Sequence, residues 1–375
     1  MVENVDADSL PEGDMPKTPL KRGWTTGACA TAAAKAAFQA LICGAFPDPV
    51  SITLPSGAQT AFALARQDIM ADFAIAGIIK DAGDDPDVTH GALVLAKVSL
   101  GFAGSGVSFR AGEGVGTVTR LGLPLPPGEP AINPVPRAMI RTAIAEVAAQ
   151  FGVSGDVIVE ISIPGGEKIA ERTLNRRLGI VGGLSILGTT GIVVPFSCAA
   201  WINSIHRGID VARGMGLTCI AGATGHTSEV AVQKLYDLPE QALIDMGDFV
   251  GGMLKYLRKS PVEHIIIAGG MGKMTKLAQG LLDLHSRRGE VDLDWLAQRA
   301  VENGGTVELA AQIRTANSAK HAFECATQAK FHIGALVAKL GWATAAKAFH
   351  KPAQLEIVIF DREGGLLARH SEKIH

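Results

Sequence analysis

A chain of 375 residues exceeds one ordinary core, so two or three domains are expected. Hydrophobic residues make up 47% and charged residues 19%, which fills such cores and excludes global disorder. With 35 basic against 37 acidic residues and 5% aromatics, neither phosphate neutralisation along duplex DNA nor base stacking along a single strand is expected.

Residues 1–20 are polar and contain prolines, and read as a flexible tail. An alanine-dominated stretch over 26–43 follows, opened by Thr25 and closed by Gly44; alanine's helix preference makes it the first helix. Strand-like runs cover 51–54, 61–65 and 74–80, the first two joined by the turn Pro55-Ser56-Gly57. After an acidic loop, strands are expected over 92–100 and 107–109. A glycine-rich segment over 111–119 and a proline-rich bend over 123–136 come next, the second too stiff for a regular element. A helix over 137–150 leads through Gly152 to a strand over 157–163. Several consecutive strands with few helices make 21–190 an α+β domain.

Beyond Gly191 the order changes to strand 191–194, helix 199–213, strand 217–221, helix 228–235, strand 242–245, helix 249–257, strand 263–268 and helix 273–284. This alternation predicts an α/β, Rossmann-like domain over 191–350 with a mostly parallel sheet, and ligands at the carboxyl ends of its strands. Residues 316–340 have room for two helices separated near Gly334. Strands over 355–360 and 364–368 form a hairpin, and the segment 351–375 is a candidate to complete the sheet of the first domain.

The 44 glycines cluster where chemistry is expected. Thr25-Thr26-Gly27 either caps the first helix or offers hydroxyls and free N–H groups to an anion. Beyond the glycines at 112, 114 and 116 stand Asn133 and Arg137; a basic group in a first helical turn opposes the dipole, so a compensating partner is expected, a ligand carboxylate among the candidates. The run 179–191 holds no charged side chain, and Gly188, Thr189, Thr190 and Gly191 would let a large flat ligand approach. Gly269, Gly270 and Gly272 follow an isoleucine-rich strand and precede Lys273, in the strand, glycine turn, helix order of a cofactor loop but without GxGxxG. Gly222, Thr224 and His226 follow the preceding strand and could line the same crevice.

Asp81, Asp84, Asp85, Asp87 and His90 form an acidic loop that is either a solvated turn or a catalytic element, with Asp84 and His90 the best placed to act. The five cysteines are dispersed without a CxxC pair and the histidines lack HExxH spacing, so reduced thiols and no protein-held metal are expected. No apolar run of about 18 residues and no signal-peptide core is present, which makes the cytoplasm the expected compartment.

Six stretches together carry a resemblance. Arg22-Gly23-Trp24-Thr25-Thr26-Gly27, the acidic loop 83–91, Gly112-Glu113-Gly114-Val115-Gly116-Thr117, the bend 128–137, the run 179–191 and the region 272–286 are similar, in colinear order, to the CbiD family of cobalt-precorrin-5B C1-methyltransferases. The likeness covers about residues 21–368. Where that family commonly has a glycine-histidine-isoleucine run, this chain has Gly269-Gly270-Met271.

The resemblance implies methyl transfer from S-adenosylmethionine to C1 of a cobalt-containing corrin precursor, giving cobalt-precorrin-6A and S-adenosylhomocysteine. On that basis Arg22, Thr25, Thr26, Asn133, Arg137 and Lys273 are expected to hold the carboxylate-rimmed substrate. Asp84 and His90 are expected at the chemistry. Gly188, Thr189, Thr190, Gly191, Gly222, Thr224, Gly269, Gly270 and Gly272 are expected around S-adenosylmethionine. A homodimer is the base-rate expectation, and a neighbouring pathway enzyme is a candidate transient partner. Two alternatives remain at this point: an NAD-dependent oxidoreductase, which requires an orthodox GxGxxG and an acidic residue ending the second strand, and a non-catalytic corrinoid carrier.

Overall fold

A computed structural model describes residues 19–374, so the tail expected over 1–20 lies, up to residue 18, outside the described residues. The chain divides into two compact units, one ending at Ser197 and one beginning at Cys198.

The first unit runs β1 (Gly23–Trp24), α1 (Thr26–Cys43), β2 (Val50–Thr53), β3 (Gln59–Phe62), β4 (Arg66–Ile69), β5 (Phe73–Ile79), β6 (Leu93–Leu100), β7 (Val107–Ala111), β8 (Thr117–Val118), α2 (Pro134–Phe151), β9 (Val157–Ser162), α3 (Gly166–Ala170), β10 (Ile180–Val181) and β11 (Ile192–Val193). Its main sheet has the order β4-β5-β6-β9-β7, antiparallel except for the parallel pair β7 and β9. Helix α1 is buried almost all round, and its alanines let it pack closely on β5, β6 and α2. Both helices end on a left-handed glycine, Gly44 and Gly152, as the sequence indicates.

The second unit runs α4 (Cys198–Gly214), β12 (Cys219–Ala223), α5 (His226–Tyr236), β13 (Leu243–Asp245), α6 (Val250–Leu257), β14 (His264–Gly270), α7 (Met271–Ala278), α8 (Leu293–Glu302), α9 (Val307–Arg314), α10 (Ala319–Gln328), α11 (Ile333–Phe349), β15 (Ala353–Phe360) and β16 (Leu366–Ile374). The sheet order is β13-β12-β14-β15-β16, parallel through β15 with β16 antiparallel at the edge.

Three expectations change. The C-terminal hairpin does not join the first sheet: β15 pairs with β14 from Gln354 to Phe360, and its run of buried residues is that of a strand covered on both faces. The strand at 191–194 does not open the second domain, because β11 pairs with β1 and the divide follows Ser197. The Rossmann-like order also gives way. The third strand of the parallel set, β14, lies beside the first, β12, which is the flavodoxin-like arrangement 2-1-3-4 and not the dinucleotide-binding one.

Candidate functional site

In the first unit the sequence motifs gather around the start of α1, where most of the polar groups expected for ligand are spent on the fold. The Thr25 hydroxyl accepts the Ala28 N–H at 3.1 Å as the N-cap of α1. The Thr26 hydroxyl accepts from Leu187 N at 3.0 Å and donates to Leu187 O at 3.2 Å. Both threonines are buried, so the substrate role expected of them gives way to capping and strapping. Thr25 N also donates to Gly191 O and Gly27 N to Leu187 O, each at 3.0 Å, which lays the run 179–191 over the helix end.

The glycines of that run answer to this packing. A Cβ on Gly188, whose φ is +127°, would meet the Thr25 side chain at 2.3 Å, and one on Gly191 would meet Leu54 at 2.6 Å. Close approach of backbone to protein, not to a flat ligand, is what these two positions serve. Thr190 turns its hydroxyl onto Ile192 O at 3.0 Å, while Thr189 is exposed.

The acidic loop is a brace. Asp81 O accepts from Trp24 N at 2.7 Å, and the Asp81 carboxylate holds Lys21 Nζ at 2.6 Å. Asp84 accepts the Lys21 N–H at 2.5 Å, Asp85 accepts from Phe196 N at 2.8 Å, and Asp87 pairs with Lys80. His90 Nδ1 accepts from Ala82 N at 3.1 Å, which leaves Nε2 of an exposed imidazole. Arg22, Asp84, His90, Thr189 and Thr190 are thus the expected residues that remain exposed in this unit around the α1 terminus.

Arg137 finds its compensating partner within the protein. Its Nε donates to Ile132 O at 2.7 Å and Nη2 to Pro130 O at 3.0 Å, with the Glu129 carboxylate 2.9 Å away. The guanidinium lies 5.2 Å from the Phe109 ring centre and the side chain is 12% exposed. This arginine folds the proline-rich bend onto α2, with Nε and Nη2 engaged inside the protein. Asn133 is the N-cap of α2 without a side-chain capping bond, and its N–H goes to Ile186 O at 2.9 Å.

In the second unit a cavity of about 970 Å³ opens at the carboxyl ends of β12, β14 and β15. In the order 2-1-3-4 the switch point lies between β12 and β14, so the sheet topology itself puts a crevice there. Loop residues after each strand line it: Thr224 to Ser228 after β12, Gly270 to Lys273 after β14, and Phe360 to Arg362 after β15. Lys273 Nζ donates to Thr224 O at 2.7 Å and pairs with Asp248 at 3.0 Å, tying the β14 loop to the β12 loop.

Thr224, Gly270 and Gly272, expected around the cofactor, meet in the lining together with Lys273, expected at the substrate, whereas Gly222 and Gly269 are not in the lining. A Cβ on Gly222 would meet Met253 Sδ at 2.4 Å and one on Gly269 would meet Met274 Cε at 2.6 Å, so both are packing positions. The sequence reading misses Asn317, Ser318 and Lys320, which also line the cavity. Ser318 caps α10 through His321 N at 3.2 Å, and a serine before an apolar stretch of helical period is the signal that would have found it. It also misses Arg362: the hairpin turn expected around 361–364 is there, joining β15 to the antiparallel β16, but the sequence does not show that this turn sits at the carboxyl end of a parallel strand and so lines the cavity. Among the described residues no group of three His, Cys, Asp or Glu side chains could hold a metal ion, and no helix is long and apolar enough to cross a membrane.

A doubly wound parallel sheet with a ligand-sized cavity at its switch point, joined to an α+β unit whose motifs converge on one helix terminus, defines a two-unit α/β protein of the small-molecule-binding class. The family model CbiD matches residues 14–195, and the model described as CbiD, C-terminal domain matches residues 283–371. A protein of Agrobacterium fabrum named cobalt-precorrin-5B C(1)-methyltransferase is 62% identical over 351 residues, 93% of each chain. One of the same name from Bradyrhizobium sp. is 62% identical over 94% of each chain, and one from Methylorubrum extorquens is 61% identical over 93% of this chain and 97% of that one. A crystal structure of the cobalamin biosynthesis protein CbiD from Archaeoglobus fulgidus is 29% identical and covers 72% of this chain and 83% of that chain, with a TM-score of 0.40. The chain belongs to the CbiD family.

Proposed function

We propose that this protein transfers the methyl group of S-adenosylmethionine to C1 of cobalt-precorrin-5B, forming cobalt-precorrin-6A and S-adenosylhomocysteine. The observation that carries this reading is identity of 62% along 93% of both chains to a relative bearing that name. The cavity of the second unit supports the reading. It is lined by glycines where an added Cβ would meet nothing within 4 Å, Gly225, Gly270 and Gly272, so the backbone there leaves room for a ligand to approach closely. This lining fits S-adenosylmethionine, with Thr224, Gly270, Gly272 and Lys273 as the residues that would hold it.

S-adenosylmethionine supplies a methyl group on a positively charged sulfur, already an electrophile. The work left to this chain is to orient the two reactants and keep water out. Arg22, exposed beside the α1 terminus, is the remaining first-unit arginine candidate for a substrate carboxylate, since Arg137 is engaged internally. His90 Nε2 is the group best suited to handle a proton as charge redistributes in the macrocycle, with Asp84 on the same loop. The oxidoreductase alternative loses support from the strand order, which is not the dinucleotide-binding one.

The test is anaerobic incubation with cobalt-precorrin-5B and methyl-labelled S-adenosylmethionine, read by mass spectrometry and NMR. One labelled methyl at C1 is expected. Bound substrate recovered without added mass would overturn the reading in favour of a carrier.

A further inference from the structure

We infer that the second-unit cavity contains a dedicated carboxylate subsite centred on the Thr224 hydroxyl. The inference rests on the reading that this cavity holds S-adenosylmethionine and names the group that the protein grips there.

Thr224 is 6% exposed and lines the cavity. Its backbone is fully engaged: the N–H donates to Ala268 O at 3.0 Å and the carbonyl accepts from Lys273 Nζ at 2.7 Å. Its hydroxyl makes no hydrogen bond with any described residue. A buried hydroxyl is ordinarily paired, so one facing a cavity unpaired is a donor kept for something that enters.

The surroundings specify a negative charge. Helices α5, α7 and α10, of 11, 8 and 10 residues, all begin in the cavity lining, and neither α5 nor α7 has a side-chain cap on its first N–H groups. Lys273, Lys320 and Arg362 line the same space against Glu290 and Asp361. Of these two acids, Asp361 already accepts from Glu363 N at 3.0 Å and Gly365 N at 2.6 Å in its own turn. Asp248 offsets part of the Lys273 charge and fixes that ammonium beside Thr224 O. Neither reactant of the proposed reaction carries a phosphate and both carry carboxylates, so a carboxylate is the anion the site would take. Its source is either the aminoacyl end of the cofactor or a rim group of the macrocycle.

Calorimetric titration of the full chain separates these. The ligands are S-adenosylhomocysteine, its decarboxylated analogue S-adenosyl-3-thiopropylamine, cobyrinic acid and the heptamethyl ester of cobyrinic acid. The proteins are the parent, Thr224→Val, Thr224→Ser and Gly270→Trp, the last filling the cavity mouth. For an aminoacyl source, decarboxylation weakens binding about tenfold or more, T224V causes the same loss for S-adenosylhomocysteine alone, and T224S restores it. If T224V instead weakens cobyrinic acid and spares both its ester and S-adenosylhomocysteine, the subsite stands and serves the macrocycle. If T224V changes none of the four while G270W abolishes S-adenosylhomocysteine binding, the carboxylate subsite is wrong and the cavity reading survives. Undiminished S-adenosylhomocysteine binding to G270W would overturn both.

Discussion

Lys80 places its ammonium 2.6 Å from the Asp87 carboxylate, with the lysine side chain 1% exposed and the aspartate side chain 25% exposed. This asymmetry decides what each deletion costs. Removing the carboxylate in Asp87→Ala strands a positive charge in the core of the first unit, whereas Lys80→Met leaves a carboxylate that keeps water and the Thr89 hydroxyl. D87A is expected to cost about 3–5 kcal/mol and K80M distinctly less. Urea unfolding followed by hydrogen exchange in β5 and β6 measures both.

The same carboxylate has an acid-side signature. Burial pushes Asp87 upward, but the bonds from Lys80 and Thr89 together outweigh it and leave the group below the usual aspartate range. Its contribution is therefore complete above about pH 4 and is lost as pH falls through the depressed value. The acid limb of a stability profile should flatten in Asp87→Asn.

The second unit should respond at the opposite end of the scale. His264 on β14 lies 3.3 Å from Glu356 on β15, whose other oxygen accepts the Tyr236 hydroxyl at 2.5 Å. The neighbouring Cys219 thiol and then Glu356 hold the imidazole up at about 9 against the opposing effect of burial. A raised folded value stabilises fully below about pH 6.5 and the benefit drains away as pH climbs to about 9. Melting temperature recorded from pH 6 to pH 10 should fall across that window, and His264→Gln should remove the slope.

Arg22 and Arg137 should separate binding from folding. Arg137→Lys cannot reproduce the two carbonyl bonds, the Glu129 pair and the ring contact, and a loss of about 2–3 kcal/mol is expected. Arg22→Ala removes an exposed side chain and should leave unfolding unchanged while weakening corrinoid binding. Equal corrinoid affinity in parent and R22A would remove that arginine from the site.

Thiol labelling gives a further check. Cys29 is buried in α1, and burial pushes its thiol up to about 12, while Cys43 and Cys198 are exposed. Iodoacetamide should modify Cys43 and Cys198 in the native protein and reach Cys29 only in urea.

Local chemistry is what the sequence reveals most directly. The alanine run, the glycines that end α1 and α2, and the alternation of strand and helix after residue 198 all read correctly, because each depends on neighbours within one or two turns. Strand order does not: β15 and β16 are recognisable as strands, yet only pairing with β14 shows which sheet they complete. The motifs around Thr25, Asp84 and Gly188 are visible as motifs, but their spacing does not say that they bind one another. Helices α8 and α9 go unread in the sequence although Asp292 and Thr306 cap them, since their apolar positions are short and alanine-diluted.

The placement of β15 also sets a timetable for synthesis. The first unit is contiguous up to Ser197, so every strand of its sheets has left the ribosome before the second unit is half made. The second sheet cannot do the same. Its inner strand β14 stays without a partner on one side until Ala353–Phe360 emerges, and until then an apolar ladder edge is open to stray pairing. The nascent chain thus carries a finished unit and an unfinished one for most of the time needed to make residues 270–353, and that interval is when chaperone binding should be most frequent.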